Sequence, residues 1–349
     1  MFKELTEASG ISGFEDEVAD IMAAHVKGVA KISYDNLGSL IAEKKGTAAA
    51  PKVMIAGHMD EIGFLVKNVT KDGFIKFLPV GGWWGHVALS QRVMVRTSKG
   101  DFLGVIGSKA PHILKPEERT KVLEIADMYI DVGATEKFDV KKKLGVRPGD
   151  PIIPISDFTI LGNSKTYAAK AWDDRIGVAA VIDVLNKVGK SHPNTLYGVG
   201  TVQEEVGLRG ARTSAQMVEP DVAFAIDVTI ATDTPGCDAS GESLGAGVGI
   251  MVFDGSAIPS RRLRDLVIDV AKKSKIPFVL TALTRGGTDS GTIQFAKWGV
   301  PCITFAIQTR YIHGHVGVLH REDYDNCVKL LLAVIKKLDK KTVASLTRS

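Results

Sequence analysis

With 349 residues, the chain can form one large domain or two of ordinary size. Hydrophobic residues at 45% and charged residues at 24% give the balance of a soluble globular protein, with enough core to need no disulfide or structural metal. A net charge of +4 without a long basic run argues against nucleic acid or an anionic membrane surface as partner, and no stretch approaches the roughly 20 apolar residues of a membrane helix. Residues 1–10 carry acids and no apolar run, unlike a secretory signal, and Cys237, Cys302 and Cys327 are odd in number and far apart. Free thiols and a cytoplasmic location are expected.

Ser12-Gly13-Phe14-Glu15 has the spacing of a capping box, and the helix behind it puts Val18, Ile21, Met22 and Val26 on one face. Short strands follow at 31–34 and 39–43. The apolar run 53–56 reads as a buried strand that stops abruptly at Gly57-His58-Met59-Asp60. From about 67 to 161 the texture changes to short alternating segments at 73–78, 91–97, 102–106, 128–132 and 150–155, with one short helix at about 135–144. Glycines and prolines divide them, as in a small barrel-like β domain. Beyond 165, predicted helices at 174–188, 211–218, 261–273, 289–298 and 323–338 alternate with apolar strands at 196–202, 222–226, 247–252, 278–281 and 302–307. Such alternation predicts an α/β fold, a mostly parallel sheet with helices on both faces. The expected organisation is a discontinuous α/β domain, 1–66 and 162–349, carrying a small β-barrel-like domain inserted at 67–161.

Chemistry-bearing residues gather where these strands end. His58 and Asp60 follow 53–56, Glu204 and Glu205 follow 196–202, Asp227 follows 222–226, and His313 follows 302–307 across a short loop. Ligands bind outside the carboxyl ends of strands in open α/β sheets, so these side chains should converge. Asp173 and Asp174 open a helix, where the dipole favours carboxylates. Asp60, Asp173, Glu204, Glu205 and Asp227 sharing one crevice would repel one another or be forced to protonate. Two divalent cations offset four of those charges, and imidazole with carboxylate is a donor mixture that zinc, cobalt or manganese accepts. A two-metal hydrolase needs a shared carboxylate, terminal ligands on each ion and a free base for the water. Neighbouring Glu204 and Glu205 leave a strand end in different directions, so one ligates and the other handles the proton. Asp60 is placed to hold the His58 ring. Two readings from other classes compete. A glycoside hydrolase using two carboxylates leaves His58 and His313 without a task, and a non-catalytic, metal-stabilised peptide-binding or assembly protein keeps the ligands but needs no base.

Ala56-Gly57-His58-Met59-Asp60-Glu61-Ile62-Gly63, Ala171-Trp172-Asp173-Asp174-Arg175, Val202-Gln203-Glu204-Glu205-Val206-Gly207 and Thr309-Arg310-Tyr311-Ile312-His313 resemble the glutamyl and deblocking metalloaminopeptidases, a family with some members labelled endoglucanases. The similarity runs through essentially the whole chain and takes in Gly81-Gly82-Trp83-Trp84 and Gly286-Gly287-Thr288-Asp289-Ser290-Gly291. It implies a zinc-peptidase-like fold in which Asp173 bridges two metals, His58 and Asp227 complete one ion, and Glu205 and His313 complete the other. Glu204 then matches the general base and Asp60 the residue orienting His58. The resemblance further implies short peptides as substrates, two divalent ions per subunit (zinc or cobalt, with manganese a third candidate), and dimers formed through 67–161 that assemble into a dodecameric tetrahedral shell. One departure is His313-Gly314-His315-Val316-Gly317, where many members carry Ser-Pro or Thr-His followed by an acid. The ligand is kept, and a different loop shape, with a different side-chain preference, is the expectation. His315 and His320 are expected to be structural or at the rim, while Arg285, Thr288 and Asp289 either wall the pocket or simply enter a helix.

Overall fold

The apolar runs of the sequence build two sheets in the computed structural model, which describes residues 1–135, 138–238 and 241–347. In chain order, β1 (Lys31–Tyr34), β2 (Leu40–Lys45) and β3 (Lys52–His58) precede a group of six: β4 (Gly63–Val69), β5 (Ile75–Val80), β6 (Arg92–Thr97), β7 (Gly100–Gly107), β8 (Tyr129–Asp131) and β9 (Pro151–Pro154). Then come β10 (Thr159–Ile160), β11 (Thr166–Ala169), β12 (Thr195–Thr201), β13 (Val222–Ile230), β14 (Val248–Phe253), β15 (Phe278–Ala282), β16 (Cys302–Arg310) and β17 (Gly317–His320). Among the described residues the group of six closes into an antiparallel barrel, β4-β5-β8-β7-β6-β9, and the rest form an 11-stranded sheet. Its order is β1-β2-β12-β3-β13-β16-β17-β11-β10, with β14 beside β16 and β15 beside β14. The centre, β12-β3-β13-β16, is parallel, and antiparallel pairs flank it.

Helices α1 (Phe2–Glu7), α2 (Asp16–Val26), α3 (Trp172–Lys187), α4 (Arg209–Val218), α5 (Arg261–Lys273) and α6 (Arg321–Ile335) cover this sheet. Along β3, Val53 and Ile55 join the cluster that holds Ile176 of α3 and Leu330 of α6, whereas Met54 and Ala56 join Ala211 and Ala215 of α4. A strand whose two faces both meet helices has to be apolar throughout, and this one is. A β-carbon on Gly57 would lie 2.5 Å from the Gly177 carbonyl carbon, so only glycine lets the end of β3 meet the start of α3. The barrel has its own interior, in which Phe64, Val66, Ile75, Phe77, Val93, Val95, Ile130 and Ile152 pack together.

Several expectations are corrected. The capping box does not form: α2 starts at Asp16 without a side-chain cap. The Ser12 hydroxyl instead donates to Asp60 Oδ2 at 2.6 Å, and Glu15 Oε1 accepts the amides of Gly13 and Gln203. Partners across the fold out-compete the local ones. The helix expected at 135–144 is only Val140–Leu144, capped by Asp139, with 136 and 137 outside the described residues. The helix expected at 289–298 stops after Ser290–Ile293 in tight turns, leaving Phe295 and Trp298 outward and Ile293 and Ala296 inward. β13 runs past Asp227 to Ile230 because its parallel pairing with β16 continues to Ile230 and Thr309. No described helix is long and apolar enough to cross a membrane.

Candidate metal centre

Because β12, β3, β13 and β16 lie side by side and parallel, their carboxyl ends share one edge. His58 is the last residue of β3, Asp227 lies within the carboxyl half of β13, Glu204 and Glu205 follow β12, and His313 follows β16. Asp173 joins them from the start of α3, through a cis peptide to Asp174.

The two histidines are oriented in the same way. His58 Nδ1 lies 3.1 Å from the Asp60 carbonyl oxygen, and since a carbonyl only accepts, Nδ1 carries the proton. Nε2 is then turned to Asp173 Oδ1 at 3.0 Å. His313 Nδ1 likewise donates to the Gly82 carbonyl at 2.8 Å, and its Nε2 lies 3.5 Å from Asp173 Oδ2 and 3.9 Å from Glu205 Oε2. Asp173 therefore presents one oxygen to each imidazole. Two overlapping sets of donor atoms fall within 4.8 Å of one another, His58 with Glu204 and Asp227, and His58 with Asp173 and Glu205. His313 stands just outside both sets. The buried Glu205 Oε1 has no hydrogen-bond partner among the described residues, a lone pair that a cation would satisfy. Imidazole nitrogens with their far side held by carbonyls, among converging carboxylates, fit a divalent cation.

The electrostatics agree with that fit. Burial, with Asp173 and Asp227 as neighbours, pushes the carboxyls of Glu205, Asp227 and Glu204 well above the usual carboxylate range. Burial opposes charge on His58 too, yet Asp173, Asp60 and Glu204 hold its imidazole well above its ordinary value. Burial would also raise Asp173, but His58 and His313 outweigh it and bring that carboxyl down. Left to itself, the cluster retains protons to limit its own repulsion; divalent cations would replace those protons.

Asp60 does more than face the histidine. Its Oδ1 accepts the Glu204 amide at 2.9 Å, its Oδ2 accepts the Glu205 amide at 3.1 Å, and Oδ1 lies 3.4 Å from His58 Nδ1. Sequence reasoning missed Asp174, whose oxygens accept the amides of His58 and Gly177 at 3.1 and 2.9 Å, because adjacent aspartates at a helix start look alike. It also missed Gly82, which contributes only a carbonyl and so leaves no side-chain signal. Thr288 bonds to Asp254 and Thr304, and the buried Asp289 accepts from Thr201, with its carboxyl pushed up to about 6 by burial. Arg285 is exposed, and none of the three lines the cleft formed by Ile62, Trp172, Asp173, Glu205, Tyr311 and His313. His315 is buried with its ring centroid 5.3 Å from that of Trp83, and His320 caps α6 by accepting the Glu322 amide.

The family model described as M42 glutamyl aminopeptidase matches residues 38–330, and a short one described as AMPT matches residues 1–22. The glutamyl aminopeptidase of Lactococcus lactis subsp. cremoris is 35% identical, over 99% of this chain and 97% of the relative. Among solved structures, a TET aminopeptidase from a marine sediment Thaumarchaeota archaeon is 44% identical with a TM-score of 0.95, covering 99% of this chain and 98% of that one. The Pyrococcus horikoshii TET1 peptidase, which can assemble into a tetrahedron or a large octahedral shell, is 33% identical with a TM-score of 0.85, covering 97% and 98%.

Proposed function

We propose, from the premise that this chain belongs to the M42 glutamyl aminopeptidase family, that it removes the N-terminal residue from short peptides at a centre for two divalent cations. Asp173, His58, Asp227, Glu205 and His313 would hold the ions, with Asp173 placed between the two imidazoles. The observation that carries this reading is Asp173 itself, with one oxygen 3.0 Å from His58 Nε2 and the other 3.5 Å from His313 Nε2. Zinc, cobalt or manganese bound there supplies Lewis acidity and makes a water a competent nucleophile near neutral pH.

The chain's own residues do the rest. Glu204, buried and 4.0 Å from His58 Nε2, takes the proton of the attacking water and returns it to the departing amine. Asp60 holds the backbone that aims Glu204.

We further assign the large sheet with its helices, expected at 1–66 and 162–349, to the catalytic unit and the barrel, expected at 67–161, to a dimerisation unit, with dimers assembling into a dodecamer; the barrel's first strand β4 already starts at Gly63, and β10 at Thr159–Ile160 belongs to the large sheet. Exposed Leu103, Val105, Ile113 and Val122 on the 67–161 segment support that role. Unpaired cysteines fit a reducing, cytoplasmic setting. A panel of aminoacyl p-nitroanilides, run on chelated protein with zinc, cobalt or manganese restored, tests the chemistry. Cleavage that persists in rigorously chelated protein would defeat it. Elution as a monomer of 37.4 kDa in the active state would defeat the assembly.

A further inference from the structure

The Ser12–Glu15 segment has no task in the chemistry above, yet it reaches the turn that carries both glutamates. Glu15 is buried, and its Oε1 accepts the Gln203 amide at 2.9 Å and the Gly13 amide at 2.8 Å. The next two amides, of Glu204 and Glu205, go to the two oxygens of Asp60. Ser12 donates to Asp60 Oδ2, which ties the two carboxylates to one segment. Three consecutive N–H groups thus converge on two carboxylates, an anion-binding concavity whose occupants are side chains of the protein itself. Gln203 has φ +56°, the left-handed region that residues with side chains seldom adopt, so this turn needs outside support to keep its shape. The supporting segment is itself anchored, through the Glu61 amide on the Gly10 carbonyl and the bridge between Ile11 and Glu61. Glu15 makes no side-chain cap to α2, so helix capping does not account for it.

We propose that Glu15 is a positioning residue for the general base: with Asp60 it holds the 203–205 turn in the conformation that points Glu204 and Glu205 to their separate tasks. This rests on the roles given to those glutamates under the proposed function. The backbone direction at 203–205 sets where both side chains start, and errors of about 1 Å at such a site cost roughly 100-fold in rate.

The test uses the full-length protein with saturating cation and compares Glu15→Ala with Glu15→Gln, which keeps an oxygen acceptor in place. Glu15→Ala should lower kcat roughly 10- to 100-fold with KM within about twofold. Glu15→Gln should recover most of that loss. Hydrogen exchange at the amides of residues 203–205, read by mass spectrometry of a peptide spanning them, should speed up in Glu15→Ala and return towards wild type in Glu15→Gln. Should the alanine variant not fold, Glu15→Asp, which withdraws the oxygen by one methylene, replaces it under the same criteria. Unchanged exchange overturns the proposal, and so does faster exchange with unchanged kcat or a kcat loss that Glu15→Gln does not lessen. A wild-type protein without peptidase activity would sink the functional reading instead, while the exchange measurement would still decide the cradle.

Discussion

The two imidazoles that face Asp173 belong to very different surroundings. His58 ends a central strand, its side chain is 2% exposed, and its ring is held by a carbonyl two residues away. His313 lies on a loop in which Tyr311 and His313 both have positive φ, its side chain is 39% exposed, and its ring is held by the carbonyl of Gly82, far back in the chain. That carbonyl is steadied by Trp83, which stacks on Phe64 of the barrel at 4.4 Å and donates from Nε1 to the Gly63 carbonyl. One half of the centre is therefore built by the same packing that builds the sheet. The other half depends on where the barrel sits, which makes the barrel part of the site.

The largest expected effect falls on the residue common to both halves. Asp173→Ala should abolish cleavage and leave neither cation bound in the desalted protein, as read by elemental analysis; retention of a full complement would break the shared-carboxylate geometry. Next, Glu204→Gln should lower kcat by roughly 10²- to 10⁴-fold while the cation content stays unchanged. Loss of a cation in that variant would move Glu204 from base to ligand, an outcome its place beside His58 and Asp227 makes worth measuring.

The histidines themselves should behave unequally. In chelated protein, His58→Ala should cost about 1–3 kcal/mol in denaturant unfolding, because it leaves the buried Asp60 carbonyl unpaired, whereas exposed His313→Ala should cost about 0.5 kcal/mol or less. Added imidazole should restore part of the activity of His313→Ala and none to His58→Ala; equal behaviour would erase the contrast between the halves. The smallest effect is expected from Trp83→Ala, which should weaken one of two cation-binding events in calorimetric titration by roughly 10-fold and leave the other alone. If both weaken alike, the barrel acts on the whole site and not on the His313 half.

Much of this was legible in the sequence. A run such as 53–56 that stops at Gly57-His58-Met59-Asp60 announces a buried strand and a strand-end site together, and the alternation after residue 165 announces the covered sheet. The short alternating segments of the barrel were readable for the same reason, since a period of two marks a strand with one inward face. The misreadings are equally physical. Ser12 and Glu15 have the spacing of a cap, but Ser12 turns to Asp60 and Glu15 takes the Gln203 amide beside the local one of Gly13, and both distant groups are brought near only by folding. The apolar residues of 289–298 have helical spacing, but Phe295 and Trp298 point away from the core, so no burial sustains a longer helix.

The sequence by itself determined which elements form and which donor types arrive at the carboxyl edge of the sheet, because hydrophobic period and strand ends are local properties. Only the tertiary structure decided which oxygen faces which imidazole, that Asp174 holds backbone while Asp173 faces the histidines, and that Glu15 and Asp60 accept the amides of the 203–205 turn while the Gly82 carbonyl accepts from His313. Those choices are made by hydrogen bonds between atoms distant in the chain, many of them backbone atoms, and no residue pattern records where a carbonyl or an amide will point once the sheet has closed around it.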